Sequence, residues 1–592
     1  MEKRFLTTML AMMAFFALVS YIYPILYPPP PKAPSAKTQA GAPVSGAVAP
    51  GSTATYSSLN GEATSNQPAY QGPTGPPTDP WAIASAPDSL NAPIRDIVVE
   101  TRDIRAIVTE NGGRLKSLTL KNYNRDKINP ATPDSPLDMV NPLNKDLPLG
   151  LWLTQESGDG RVSLANLTFT ADRASLTVDP EGVGVLTLTA RTNVGLAIVK
   201  TLTFKGQGFL LGQSIKLTNE GNFNYQGRLG QTIPVVSYSL RPTRYGAVAG
   251  FINQNLFSEA PADAGEELAA LARVNADWLG YMDQHFLSAF VFEKGADGQS
   301  PEGLKLGAER AGEGVGYRLF QSRPLSLPKG GSVVYTQNLY FGPKEATSLA
   351  TAGHNLGASL DYGWFSLLAK PLIWLLRLFY DLVGNYGVAI ILVTIIIKIA
   401  LWPLTAKGYQ SMKKMQAIQP QIAKLKVKYK DDNKAFQEEM MRVYKVYGVS
   451  PLGGCLPMIL QIPFFIAFYR VLDYALELRG APFALWITDL SVPDRLFYFD
   501  VKLPLLEAPT GIPVLTLLMG VTMIWQQRMT PSMGDPTQAK IMAFMPLIFI
   551  FILINMPSGL VLYWLVNNIL SIFQQKLINK SAKSTAPVKA KT

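Results

Sequence analysis

At 592 residues the chain has room for several domains, and its 47% hydrophobic content includes apolar runs of membrane length, which exclude a purely soluble protein. The formal net charge of +11 gathers beside those runs, so the positive-inside bias explains it without invoking nucleic acid. A single cysteine, Cys455, excludes an internal disulfide, and two histidines, His285 and His354, argue against a multi-histidine metal site.

The chain opens with a short basic stretch and an apolar run from Phe5 to Leu26. That run is longer than the roughly 7–15 residues of a signal-peptide core, so residues 1–27 read as an uncleaved membrane anchor, with a cleaved signal as the alternative. Residues 28–90 are rich in Pro, Ala, Gly, Ser and Thr and nearly free of charge, the composition of a disordered tether. From 91 to 343 short alternating runs such as Leu186-Thr187-Leu188-Thr189 recur between turn clusters such as Asn219-Glu220-Gly221-Asn222. Alternation of period two predicts an all-β, antiparallel sandwich, with one helical interruption around Ala262 to Arg273. No His/carboxylate or paired-carboxylate constellation with catalytic spacing stands out in it, and it reads as a spacer, shield or docking domain.

Residues 344–383 connect this domain to the rest and end in an apolar stretch broken by Lys370, Pro371 and Arg377. The two cations are seven apart and share a face, as in a helix lying in the membrane interface. The span over 384–404 carries Lys398, and Thr394, Lys398, Trp402 and Thr405 follow at helical spacing. A lysine inside a span costs roughly 2.5–3.5 kcal/mol and calls for an acid, water or a route to the headgroups. The later spans offer it no obvious acid, which leaves two readings: snorkelling along its apolar stem, or a hydrated cavity.

Residues 405–450 carry ten Lys or Arg against four acids between Thr405 and Tyr447. Met415, Ile418, Ile422, Leu425 and Tyr429, then Phe436, Met440, Val443 and Tyr447, keep helical spacing on either side of Asp431-Asp432-Asn433 and predict a helical hairpin kinked at Pro420. This hairpin is either a solvated positive-inside loop or a docking surface for a ribosome, nascent chain or targeting receptor. Further spans are expected at 451–478, 512–528, 539–556 and 557–576, separated by an outer loop over 479–511, an inner loop over 529–538 and the turn at Pro557-Ser558-Gly559. A basic tail over 577–592 follows. With the anchor this makes six spans, both termini on the basic side. Leu452-Gly453-Gly454-Cys455 imitates a lipoprotein signal but is too internal to be one, and reads as a small-residue turn.

PLGGCLP at Pro451 to Pro457, QIPFF at Gln461 to Phe465, APFALWITDLS at Ala481 to Ser491, FMP at Phe544 to Pro546 and PSGLVLYW at Pro557 to Trp564 occur in an order and spacing that resemble the YidC membrane-protein insertases of Gram-negative bacteria. YFGPK at Tyr340 to Lys344 resembles the exit of that family's β-domain. The resemblance implies an α-helical integral membrane bundle of six spans with a five-helix core, plus an all-β periplasmic sandwich domain, in the bacterial inner membrane with both termini cytoplasmic. It implies an insertase and chaperone, not an enzyme, working alone or with the Sec translocon on nascent membrane proteins within the phospholipid bilayer, with no cofactor, metal or specific nucleic acid. Where the family usually has a groove arginine, this chain has Lys398, which keeps the charge but loses the planar guanidinium. Thr394, Gln461 and Trp564 match groove-lining family positions; Asn567, three residues after Trp564, and Trp402 are expected on the same groove. Phe464, Phe465, Phe544, Met545 and Phe549 are expected to form a hydrophobic slide toward lipid. A transporter or channel binding an anionic solute at Lys398 is the alternative, and a tethered sugar-binding or sugar-modifying protein the third reading.

Overall fold

Strand-forming alternation governs the first half of the described chain. The structure, a computed structural model, describes residues 81–84, 93–124, 135–140, 147–155, 160–236, 246–271, 273–310, 316–361, 365–430, 432–448, 456–499, 506, 510–529 and 536–583. The expected anchor over 1–27, the Gly453-Gly454-Cys455 run, residues 530–535 and the end of the tail lie outside these residues. So does the expected tether over 28–90, apart from Trp81 to Ala84. Those four residues dock on the β-domain: Trp81 meets the Tyr225 ring edge-on at 5.6 Å, and the Asn193 side chain bonds Ala84 N and Ala82 O.

Between Asp96 and Pro343 the chain forms a nine-stranded sheet and two five-stranded sheets, paired antiparallel except where Val98–Glu100 runs parallel to Ser175–Thr177. In the strand Leu196–Lys205, Leu196, Ile198, Lys200, Leu202 and Phe204 all point inward, as period two requires. One apolar core joins the three sheets. The expected helical interruption is present but shorter, as α1, Ala264–Ala269. Helix α2, Ala346–Ala352, and a short 3-10 turn at Leu356–Ser359 pack Leu349 and Leu356 onto Trp278 and Tyr340 of the large sheet.

The rest of the chain is helical. Helix α3, Ser366–Val383, ends at Gly384 in the left-handed conformation, φ 66°, where glycine pays no Cβ penalty. Asn385 then caps α4, Tyr386–Lys428, its Oδ1 accepting from Val388 N at 3.1 Å. The Arg377 guanidinium of α3 bonds the Glu477 carboxylate. Leu367 and Trp374 are the strongly exposed side of α3.

Helix α4 is continuous through Pro403 and Pro420. At 43 residues it is about 64 Å long, twice the roughly 30 Å hydrocarbon core. Among the described residues it is the one helix long and apolar enough, by length and composition, to cross a membrane. Its far half turns back through α5, Asn433–Val446, which Asp432 caps by accepting from Lys434 N and Ala435 N. Met415 and Ile418 are buried there against Val443 and Tyr444.

Helices α6, Leu456–Tyr474, α7, Val514–Met529, α8, Pro536–Leu553, and α9, Ser558–Lys583, complete the bundle. At 16 residues α7 is about 24 Å long, and α9, with 26 residues, reaches about 39 Å because its helix continues past the first lysines. The β-domain rests on the bundle through Gln284, which donates to Asp473 O at 2.6 Å, and through the Lys344 ammonium, 5.2 Å from the Tyr474 ring.

Candidate functional site

Helix α9 contacts both α4 and α7 extensively, and its second half is where polar side chains enter the bundle. Asn567, Asn568, Ser571, Gln574 and Gln575 are all buried. Spacings of four and three put Asn567, Ser571 and Gln574 on one stripe, while Asn568 and Gln575, seven apart, share another. The first stripe meets α4: Lys398 Nζ donates to Ser571 Oγ at 2.7 Å, and Gln574 Nε2 donates to Thr405 Oγ1 at 2.8 Å and to Trp402 O at 3.4 Å. The second meets α7, where Asn568 Nδ2 donates to Thr522 Oγ1 at 3.3 Å and Gln575 Nε2 to Met529 O at 2.9 Å.

Lys398 is 8% exposed, and Ser571 is its hydrogen-bond partner among the described residues. The ammonium is therefore folded into the bundle, not extended along a snorkelling stem. Thr394 is buried one turn earlier and donates back to Ile390 O at 2.6 Å; Thr405 likewise donates to Leu401 O at 2.9 Å. Both follow the habit of a threonine in an apolar helix, which satisfies its hydroxyl on the preceding turn.

The remaining expected residues divide. Trp402 is 37% exposed, because eight residues at 3.6 per turn drift about 80° from Thr394 and carry it to the edge of the polar face. Asn567 contributes its carbonyl, which accepts from Ser571 Oγ at 2.7 Å. Gln461 is half-buried beside Tyr563, whose hydroxyl finds no partner in hydrogen-bond geometry among the described residues. Trp564 is wedged between Phe465, edge-on at 4.6 Å, and Phe549, tilted at 5.0 Å. Phe464 is half-buried against the bundle core, Met545 is half-buried, and Phe544 is 61% exposed on the outer surface. Sequence reasoning missed Ser571, Gln574, Asn568 and Tyr563. The available signal was five uncharged polar residues within nine positions of an apolar segment.

Asp494 and Arg495 tie the segment before α7 to two helix ends. Arg495 Nη1 donates to Ile554 O at 2.8 Å and its Nη2 to Asn555 Oδ1 at 2.9 Å, while Asp494 accepts from Leu515 N at the start of α7 and from Trp486 Nε1 at 2.6 Å. No group of three His, Cys, Asp or Glu able to hold a metal occurs among the described residues.

Around this interior the helices expose Ile399, Val521, Trp525, Phe544, Phe551 and Phe573. A water-soluble monomer rarely carries so large an apolar surface, and lipid is its natural solvent. A buried cation inside an apolar-coated helical bundle, joined to a β-rich domain, defines a bilayer-embedded protein whose polar chemistry lies within the bundle.

The family described as "60Kd inner membrane protein" matches residues 378–585, and the "YidC periplasmic domain" matches residues 96–375. The chain is 36% identical to "Membrane protein insertase YidC" of Pelobacter propionicus, across 98% of this chain and 99% of that one. It belongs to the YidC family of membrane-protein insertases, inner-membrane proteins with a β-rich periplasmic domain, and its function is membrane-protein insertion. Among solved structures, an active YidC insertase with its first transmembrane domain resolved aligns at TM-score 0.35 and 18% identity, over 84% of this chain and 95% of that one. A galactose mutarotase-like protein from Lactobacillus casei aligns at TM-score 0.30 and 11% identity, over 42% of this chain and all of that one.

Proposed function

We propose that insertion runs along the polar seam between α4 and α9, with Lys398 as the charge that receives an acidic or polar substrate segment. One observation carries this reading. The Lys398 ammonium has three donors, and one of them meets a described acceptor, Ser571. Two donors are left to attract a carboxylate or amide in an interior where electrostatic attraction is stronger than in water. Thr394, Gln461, Trp402, Trp564 and Asn567 line the path around that charge.

A substrate's apolar segment then leaves past Phe464, Phe465, Phe544, Met545 and Phe549. Burial in lipid, at roughly 25 cal/mol per Å² of apolar surface, offsets the cost of drawing a short polar tail across. The chain makes six crossings, the anchor, the apolar half of α4, and α6 to α9, with both termini in the cytoplasm. Helix α5 and the C-terminal half of α4 then form a cytoplasmic basic hairpin that meets a ribosome or targeting receptor, and the bundle side meets the Sec translocon. The groove lowers a barrier and performs no covalent step.

Reconstitution of the purified chain into liposomes without Sec components, with protease protection of a one-span substrate as readout, tests this reading. Protection is expected with wild type and Lys398→Arg and lost with Lys398→Ala. Equal protection in all three removes the electrostatic step.

A further inference from the structure

We propose that Ser571 is the positioning residue that holds the Lys398 ammonium where a substrate carboxylate meets it, and so sets the preference for acidic substrate segments. The inference rests on the reading of Lys398 as the receiving charge.

The bonding of Ser571 is directional. Its hydroxyl hydrogen goes to Asn567 O, one turn back on α9, at 2.7 Å. The oxygen is thereby left as an acceptor, and Lys398 Nζ donates to it at 2.7 Å. A serine hydroxyl offers one donor and two acceptor sites, and here the donor is committed to α9 itself while an acceptor site holds the ammonium of α4. Ser571 thus ties α9 to α4 at the buried charge.

Such fixing matters more for a lysine than for an arginine. The ammonium is a compact, strongly hydrated charge on a four-carbon stem, with no fork of donors to set its direction. Without an acceptor inside the bundle that stem carries the charge toward the headgroups, as lysines near helix ends do. The hydroxyl at 571 holds the charge in place without neutralising it. A carboxylate at that position would instead satisfy the ammonium permanently and remove its attraction for a substrate.

The test uses the full-length chain in proteoliposomes and two one-span substrates that differ only in a translocated tail, one containing Asp and Glu, the other Asn and Gln. The readout is the ratio of acidic-tail to amide-tail insertion. Ser571→Ala is expected to lower that ratio about tenfold or more, the scale of one lost hydrogen bond to a charged group. Ser571→Thr keeps the hydroxyl and is expected to restore it. Ser571→Asp is expected to lower it as far as Lys398→Ala. In a Lys398→Arg background, Ser571→Ala is expected to have little further effect, because the longer planar group needs no such positioner.

A fall in both substrates with an unchanged ratio, or failure of threonine to restore it, marks Ser571 as merely structural and overturns the proposal. A normal ratio in Ser571→Ala alongside a collapsed ratio in Lys398→Ala overturns it while leaving Lys398 as the receiving charge. A normal ratio in Lys398→Ala overturns the underlying reading as well.

Discussion

Asp494 and Arg495 are neighbours in sequence and hold the ends of two different helices. The Asp494 carboxylate accepts from the backbone of Leu515 in the first turn of α7, and the Arg495 guanidinium bonds Ile554 O and Asn555 Oδ1 just beyond the end of α8. Each charge complements the helix dipole it faces, negative at an N-terminus and positive at a C-terminus. Both side chains are buried. Arg495→Ala removes its charge-assisted bonds to Asp494 O, Ile554 O and Asn555 Oδ1 and leaves buried acceptors unpaired, a loss of about 2–4 kcal/mol. A lower melting temperature in detergent is expected, with increased protease cleavage in the 479–513 loop. An unchanged melting temperature would mean that water replaces the guanidinium at no cost.

Gly387 in the first turn of α4 lies directly beneath the Phe483 ring, and a Cβ built there overlaps the ring. Asn385 secures the same contact by donating to Phe483 O at 3.0 Å. Gly387→Val is therefore expected to push the outer loop off α4, costing about 1–3 kcal/mol through overpacking. Phe483→Ala in the Gly387→Val background makes room for the added methyls. Recovery of stability in that double variant, compared with Phe483→Ala alone, checks the steric cause.

In the β-domain, Lys200 is fully buried at an inward position of its strand. Its ammonium donates to Gly113 O at 2.7 Å, Leu149 O at 2.9 Å and Gly112 O at 3.3 Å. Burial, with the Arg114 charge adding to it, lowers its pKa from 10.5 to about 7. Between those values the unfolded chain holds a proton that the folded chain gives up. Raising the pH therefore favours the folded state across that window, and below about pH 7 the dependence disappears. Protection against amide hydrogen exchange in the strand Leu196–Lys205, corrected for the intrinsic rate, is expected to increase from pH 7 to pH 9 by the equivalent of roughly 1–2 kcal/mol, less than the full shift because three carbonyls stabilise the charged form. Lys200→Met is expected to abolish that increase.

The polar seam shows what local pattern can and cannot reveal. Thr394, Lys398 and Thr405 share a buried face of α4 because the helical period is fixed within the segment itself. Ser571 lies 173 positions from Lys398, and no local rule pairs them. The apolar character of α9 drew attention away from its Asn, Ser and Gln residues, which become informative once α4 is known to lie against it. The β-domain was similarly readable as alternating strands, whereas its division into three sheets depends on long-range pairings such as Leu210–Asn219 with Ser332–Pro343. Arg377 adds a second case: its partner Glu477 lies 100 positions away, and the local spacing with Lys370 carries no sign of that pair.

Under the proposed path, Trp564 separates the polar seam from the lipid exit. Its ring fills the space between Phe465 of α6 and Phe549 of α8, so the three aromatics make one apolar wall drawn from three helices. Trp564→Ala removes the central piece and, where the wall does not collapse, costs about 3 kcal/mol of packing. Trp564→Phe keeps an aromatic ring with less volume and is expected to retain most of the stability. If the wall guides the substrate's apolar segment outward, Trp564→Ala impairs weakly hydrophobic spans more than strongly hydrophobic ones, because the latter partition into lipid with energy to spare. Protease protection of a substrate series with graded leucine content measures this. A loss that is the same across the series assigns Trp564 to bundle stability alone, and a loss confined to the weakly hydrophobic substrates assigns the aromatic wall to the exit path.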